Sequence, residues 1–310
     1  MPNLHRSLIA LLLALVAWVV HVPTASADDP SRHILVLGRI SDDPKTHYAQ
    51  LKPLLDYVIP RMASVGITEG RVLMARDPQQ MSSYLRRGQV DWVTETAATG
   101  VLLQDKAGAV PLLLTERDGV SRYRTVVFAR KDSPFERLED LAGHSIAFQN
   151  NASTTGYFVP AMELLRRNLR LSVLLSPMDR PSGNDVGYLF ARSELNIGAW
   201  VHKRLVDAGA MSDIEWDNPS RMPLAYRRDL RVIHTTAPFP RALEMVRADL
   251  DPRVAARLRE VLIEASADPS ARAAMQSFFR TTRFLPVDAD TSASLASLRQ
   301  GVLRVRADVE

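Results

Sequence analysis

Short apolar runs alternate with amphipathic stretches along this chain. Ile34 to Gly38 (ILVLG) reads as a buried strand, and from about Thr46 apolar residues recur at helical spacing: Tyr48, Leu51, Leu55, Val58 and Met62. Arg71 to Ala75 predicts a second strand, Pro78 opens a helix through Met81, Tyr84 and Leu85, and Val90 to Val93 predicts a third strand. A second series starts with Tyr123 to Arg130, passes through Ser145 to Phe148, and reaches Val186 to Phe190. A helix with Ile197, Trp200, Val201 and Leu205 on one face follows, then a strand over Val206 to Met211. Arg231 to His234 reads as a return crossing. Beyond it, Asp251 caps and Pro252 opens a helix carrying Val254, Leu258, Val261, Leu262 and Ala265 at helical spacing. The end of the chain is helical and apolar enough to pack back on the first series. This alternation predicts an α/β fold of mostly parallel sheets covered by helices on both faces, with ligands at the carboxyl ends of the strands. The length suits two lobes, and no repeat, low-complexity tract or long linker interrupts it.

The amino terminus adds a compartment. Arg6, the apolar run Leu8 to Val20 and the small residues Ala25-Ser26-Ala27 form a secretory signal peptide over residues 1–27. The run is too short for a bilayer, which takes about 20 apolar residues. The chain has no cysteine, so neither a lipid anchor at the cleavage site nor a disulfide is expected, and export without staples fits a bacterial periplasm. Removing Arg6 with the leader lowers the formal charge from +4 by one unit. The basic residues are interleaved with acidic ones and no aromatic-rich basic stripe occurs, which argues against nucleic acid.

The segment from His144 to Pro160, HSIAFQNNASTTGYFVP, carries the chemistry. It runs a strand into Ser153, Thr154 and Thr155 at a helix start, where hydroxyls and the free amides of the first turn can converge on an oxyanion. A helix end contributes about 0.3 to 1 kcal/mol toward an anion, and each charge-assisted hydrogen bond roughly 1.5 to 3. The competing reading is that these residues cap the helix, which needs one hydroxyl. An enzyme of the phosphatase or serine-hydrolase type would use Ser153 as nucleophile. Against it, no Gly-x-Ser-x-Gly elbow, Walker loop, His-Glu-x-x-His or dinucleotide glycine pattern occurs, and the histidines lack metal-ligand spacing. No catalytic residue, metal or cofactor is expected.

Several phrases, taken in order, resemble one family. These are Gly88-Gln89-Val90-Asp91, Arg122 to Val127 with Arg130-Lys131-Asp132-Ser133, Leu138 to Ile146, Ser153-Thr154-Thr155-Gly156 with Pro160, Val206 to Ala210, Leu230 to Ile233 and Asp249 to Pro252. Together they are similar to periplasmic phosphate, phosphite or phosphonate-binding proteins of ABC transporters, over nearly the whole exported chain. The resemblance implies the two-lobed type 2 periplasmic binding protein fold, with lobe one at 32–128 plus 236–310 and lobe two at 129–235. It implies a monomer that holds a small phosphorus oxyanion in the cleft and delivers it to an ABC permease in the inner membrane. A sensor that presents the bound anion to a membrane receptor would have the same fold. Ser153, Thr154 and Thr155 match the family's phosphonate-oxygen triplet. Tyr123 matches an aromatic beside the ligand, or is a core strand residue. Thr94 and Thr96 would donate from lobe one, or cap, and Tyr48 would line the cleft, or pack. The pattern departs at Arg192-Ser193-Glu194 and at Ser212-Asp213. There Arg192 could meet an anion and Glu194 a ligand amine, or both could be solvated loop charges.

Overall fold

In the computed structural model, which describes residues 33–309, the apolar runs form two six-stranded sheets. The first contains β1 (Ile34–Ile40), β2 (Glu69–Ala75), β3 (Trp92–Thr96), β4 (Val110–Arg117), β13 (Ala242–Val246) and β14 (Thr281–Pro286), in the order β14-β4-β13-β3-β1-β2. The second contains β6 (Thr125–Arg130), β7 (Ser145–Phe148), β8 (Leu171–Val173), β9 (Val186–Phe190), β10 (Ala208–Ser212) and β11 (Leu230–Thr235), in the order β11-β6-β10-β7-β9-β8. The expected signal peptide lies outside the described residues.

Between the sheets run two crossing segments, β5 (Arg122–Tyr123) and β12 (Phe239–Pro240), paired antiparallel with Tyr123 opposite Phe239. Their position explains why neither sheet is wholly parallel. β4 ends at the crossing, so the chain enters the second sheet at its carboxyl edge and β6 must run antiparallel to β10 and β11. On the return, β13 enters the first sheet the same way and lies antiparallel to both β3 and β4. The expected strand Tyr123 to Arg130 is accordingly broken at Arg124, whose amide donates to Asp213 Oδ1 at 3.1 Å. A lobe border at 128/129 would cut β6, which pairs wholly within the second sheet, so the change of sheet falls at 121–124.

Each sheet is packed on both faces. Leu35, Leu37 and Trp92 meet the helices Pro44–Val58 and Pro252–Ala265 on one face of the first sheet, and Phe128, Ala147 and Ile197 fill the outer face of the second. A third cluster, with Val93, Leu114, Val127, Phe148, Tyr157 and Val302, draws on both sheets and on the C-terminal helix Ala289–Asp308. That helix packs on Ala97–Ala107, as expected, and also on Val159–Arg166 beside the second sheet. Gly301 makes the second contact possible, since a Cβ there would stand 1.6 Å from Met162 Sδ. Asp43 and Asp251 cap their helices by accepting from the amides of Thr46 and Arg253. No helix among the described residues is long and apolar enough to cross a membrane.

Candidate functional site

β7 delivers the chain to the turn at Gln149, and the helix that follows opens with a wide π-type turn over Thr154–Phe158 before continuing as Val159–Arg166. Such turns disturb the regular ladder and are frequent at functional sites. Ser153 is the cap, its Oγ accepting from the Gly156 amide at 3.0 Å. Gly156 has to be glycine for a steric reason, because a Cβ would lie 2.8 Å from Gln149 Cβ and 2.9 Å from Ser153 Oγ. Thr154 is 1% exposed, and its Oγ1 accepts the Ala98 amide at 3.0 Å. Ala98 lies in the first turn of the helix Ala97–Ala107, whose N-cap residue Thr96 makes no side-chain cap bond. The N-terminus of the helix after β3 therefore donates to a hydroxyl in the first turn of the helix after β7, which brings the two positive helix ends together at Thr154. Buried Thr155 is tied down through its carbonyl, which accepts from Thr125 Oγ1 at 3.0 Å.

Tyr123 joins the two sides. It sits on the crossing strand β5, is buried, and shares a hydrogen bond with Thr154. Burial pushes its phenol up to about 12, the bond with Thr154 acting in the opposite direction, so it is a neutral hydrogen-bonding group at physiological pH.

An acidic seam extends from the turn. Gln149, whose side chain packs against Gly156, donates its amide to Glu194 Oε1. Glu194 is buried and adjoins Glu215, which completes a capping box with Ser212: Ser212 Oγ donates to Glu215 Oε2 at 2.7 Å, and the Glu215 amide donates to Ser212 Oγ at 3.2 Å. Burial, and next the Glu194 charge, push the Glu215 carboxyl up to about 7. A carboxyl raised from 4.5 contributes stability that is complete below pH 4.5 and is lost as pH rises through about 7. Wild-type stability should therefore fall as pH rises from 5 to 8. Urea unfolding of Glu215→Gln should give a flatter profile over that range, and an identical profile would remove Glu215 as its source.

Of the residues singled out in the sequence, the structure brings together Ser153, Thr154, Thr155, Tyr123, Glu194 and Ser212, with Thr96 heading the opposing helix. Others stand apart. Thr94 is a correction, because its Oγ1 faces the core and donates to the fully buried Glu244 at 2.9 Å. Tyr48 is 47% exposed on the first helix, which buries Leu51, Leu54 and Leu55 instead. Ser193 caps Glu194–His202 by accepting from Asn196, and Asp213 accepts the amides of Arg124 and Ile214. Arg192 is exposed, on a left-handed backbone with φ 70°. Sequence reasoning missed Glu215, although the Ser-x-x-Glu spacing from Ser212 was there to read, and it missed Arg39 and Arg117 at the carboxyl edge of the first sheet. No local motif marks those two, since a strand-ending arginine reads as a surface charge. Among the described residues no cluster of three or more His, Asp or Glu is placed to hold a metal.

Residues 39–292 match the family described as ABC transporter, phosphonate, periplasmic substrate-binding protein. The Xanthomonas citri protein XAC2383, solved bound to ATP, is similar at 52% identity over 90% of this chain and 100% of its own, with a TM-score of 0.85. The same protein bound to chloride superposes with the same score over 89% of this chain and 99% of its own. PhnD1 from Prochlorococcus marinus, in complex with methylphosphonate, is 15% identical over 89% of this chain and 99% of its own, with a TM-score of 0.64, and so shares the fold. The binding component of an ABC phosphonate transporter from Pseudomonas aeruginosa shares it too, at 18% identity over 89% of this chain and 88% of its own and a TM-score of 0.62. The two-sheet α/β architecture is thus that of the two-lobed periplasmic binding proteins, and this chain belongs to the periplasmic phosphonate substrate-binding family of ABC transporters, a transport family.

Proposed function

We propose that this protein captures a phosphorus oxyanion, as a phosphonate, phosphite or phosphate, between two lobes that turn about the β5 and β12 crossing, and hands it to an ABC permease. The observation that carries the reading is the meeting of two helix N-termini at the Thr154 hydroxyl. Its bond to the Ala98 amide is a donor and acceptor arrangement that an anion oxygen can take over, with Tyr123 and the Ser153–Gly156 turn alongside. The protein works as a monomer in the periplasm, with residues 1–27 as its cleaved leader and no lipid anchor. The hydroxyls act as donors and not as nucleophiles. The XAC2383 ligands, ATP and chloride, are both anions, which supports an anion site in a relative of this similarity.

The acidic seam refines the ligand. Glu194 and Glu215 stand one side chain away from the turn and would receive an ammonium group, which relieves the repulsion between the two carboxyls. A thermal-shift panel of phosphate, phosphite, methylphosphonate, aminoethylphosphonate and sulfate tests both points. A ligand at 100 times its dissociation constant adds about 2.7 kcal/mol of stability. Phosphorus compounds are expected to raise the melting temperature, and Glu194→Gln to reduce the aminoethylphosphonate shift more than the methylphosphonate shift. No shift with any compound would overturn the reading, and phosphate-ester hydrolysis by the purified protein would point to an enzyme.

A further inference from the structure

The carboxyl edge of the first sheet carries two guanidinium groups that the capture reading leaves without a task. Arg117 is the last residue of β4 and Arg39 the penultimate residue of β1. Arg117 is only 9% exposed, yet its Nε and Nη2 are buried without a hydrogen-bond partner. The Nε of half-buried Arg39 is in the same condition, while its Nη1 donates to the Thr94 carbonyl at 3.1 Å. Among the described residues neither guanidinium forms a salt bridge. Both rest on one ring, with each guanidinium carbon 4.4 Å from the centroid of Phe279. Phe279 and its neighbour Arg280 hold left-handed backbones, with φ of 54° and 55°. Bulky residues rarely adopt that conformation, and two in succession mark strain of the kind stored at functional sites.

Two buried carboxyls lie near this pair, but neither forms an ion pair with it. Burial pushes the Glu95 and Glu244 carboxyls up, opposed by the charges of Arg39 and Arg117 on Glu95 and by three hydrogen bonds and the Arg117 charge on Glu244. His47, 5.8 Å from Phe279 between ring centroids, is pushed down by burial and by Arg39. Arg241 adds a further positive charge and donates to the Arg117 carbonyl at 2.6 Å. A buried arginine without an anion is costly, and its rigid fork matches carboxylate and phosphate oxygens two at a time. The edge adjoins the crossing that carries Tyr123, because Arg241, the residue after β12, donates its amide to the Ser121 carbonyl at 2.9 Å and its guanidinium to the Arg117 carbonyl, and the Arg117 charge acts on the Tyr123 phenol.

We propose that Arg117 and Arg39 form a second anion subsite, so that the ligand is a phosphorus oxyanion carrying a second acidic group, a carboxylate or a further phosphate. This rests on the capture reading above and narrows its ligand class. The test titrates wild-type protein calorimetrically with methylphosphonate, phosphonoacetate, 3-phosphonopropionate and pyrophosphate, which places the second charge at increasing reach and in both chemistries. At least one compound with two acidic groups is expected to bind ten times tighter than methylphosphonate or better. Arg117→Met should erase that gain while leaving methylphosphonate within twofold, and Arg39→Gln, at a less buried position, should erase part of it. Equal affinity for all four compounds, a gain that survives in Arg117→Met, or a gain undiminished in Arg39→Gln would overturn the subsite and leave the oxyanion reading standing. Failure of all four to bind would overturn both.

Discussion

Thr154→Val is expected to weaken methylphosphonate binding by roughly 10- to 150-fold, the equivalent of one charge-assisted hydrogen bond of about 1.5 to 3 kcal/mol. Thr154 is the position where the two helix ends and Tyr123 converge, and valine keeps its shape while removing the oxygen. In the same variant the Ala98 amide loses its acceptor, so a loss of about 1 kcal/mol in stability should accompany the loss of affinity. Ser153→Ala separates capping from ligand contact. Its hydroxyl is already engaged by the Gly156 amide, so it should cost about 1 kcal/mol of stability and weaken the ligand far less than Thr154→Val. Titration calorimetry on the three proteins checks the order. Ser153→Ala weakening the ligand as much as Thr154→Val would show that the cap itself is the principal contact.

Glu244→Leu should be the most destabilising single change, at about 3 to 5 kcal/mol. Glu244 is fully buried on β13 and gathers three donors: Trp92 Nε1 at 2.7 Å, Thr94 Oγ1 at 2.9 Å and Thr115 Oγ1 at 2.7 Å. Leucine fills the volume but leaves all three buried donors without an acceptor. A drop of roughly 6 to 10 °C in melting temperature follows. Glu244→Gln keeps an acceptor for the hydroxyls and should fall less, because only Trp92 would face an amide N–H. Equal melting of Glu244→Leu and wild type would mean that the network contributes nothing net. The same geometry predicts that Thr94→Val lowers stability and leaves ligand affinity unchanged.

The strands and most helices were legible because their signals are local. The run at β7, the Asp251-Pro252 helix start and the apolar spacing from Val254 to Ala265 each need only a few residues of context. The Ser153–Gly156 turn was legible as a helix start, and that Ser153 spends its hydroxyl as the cap is a detail only backbone geometry decides. What local pattern could not supply was anything that depends on the crossing. Nothing near β6 or β13 says that these strands enter from the carboxyl edge and run antiparallel. Thr94 alternates along a short strand whose two faces are both covered, so the sequence leaves open whether its hydroxyl turns to the cleft or to Glu244. The Ser212 spacing marks Glu215 only as a capping residue, and it and Arg117 become candidates for the site when folding brings Glu194 beside the one and Phe279 beside the other.

On the proposed reading, an oxyanion is held where the two helix N-termini meet. Backbone amide resonances followed during a methylphosphonate titration report on that point directly. Saturable one-to-one shifts are expected, largest at Ala98, Thr155 and Gly156, and lost in Thr154→Val. Saturation with these amides unmoved, and the largest shifts elsewhere in the chain, would place the oxyanion at another site.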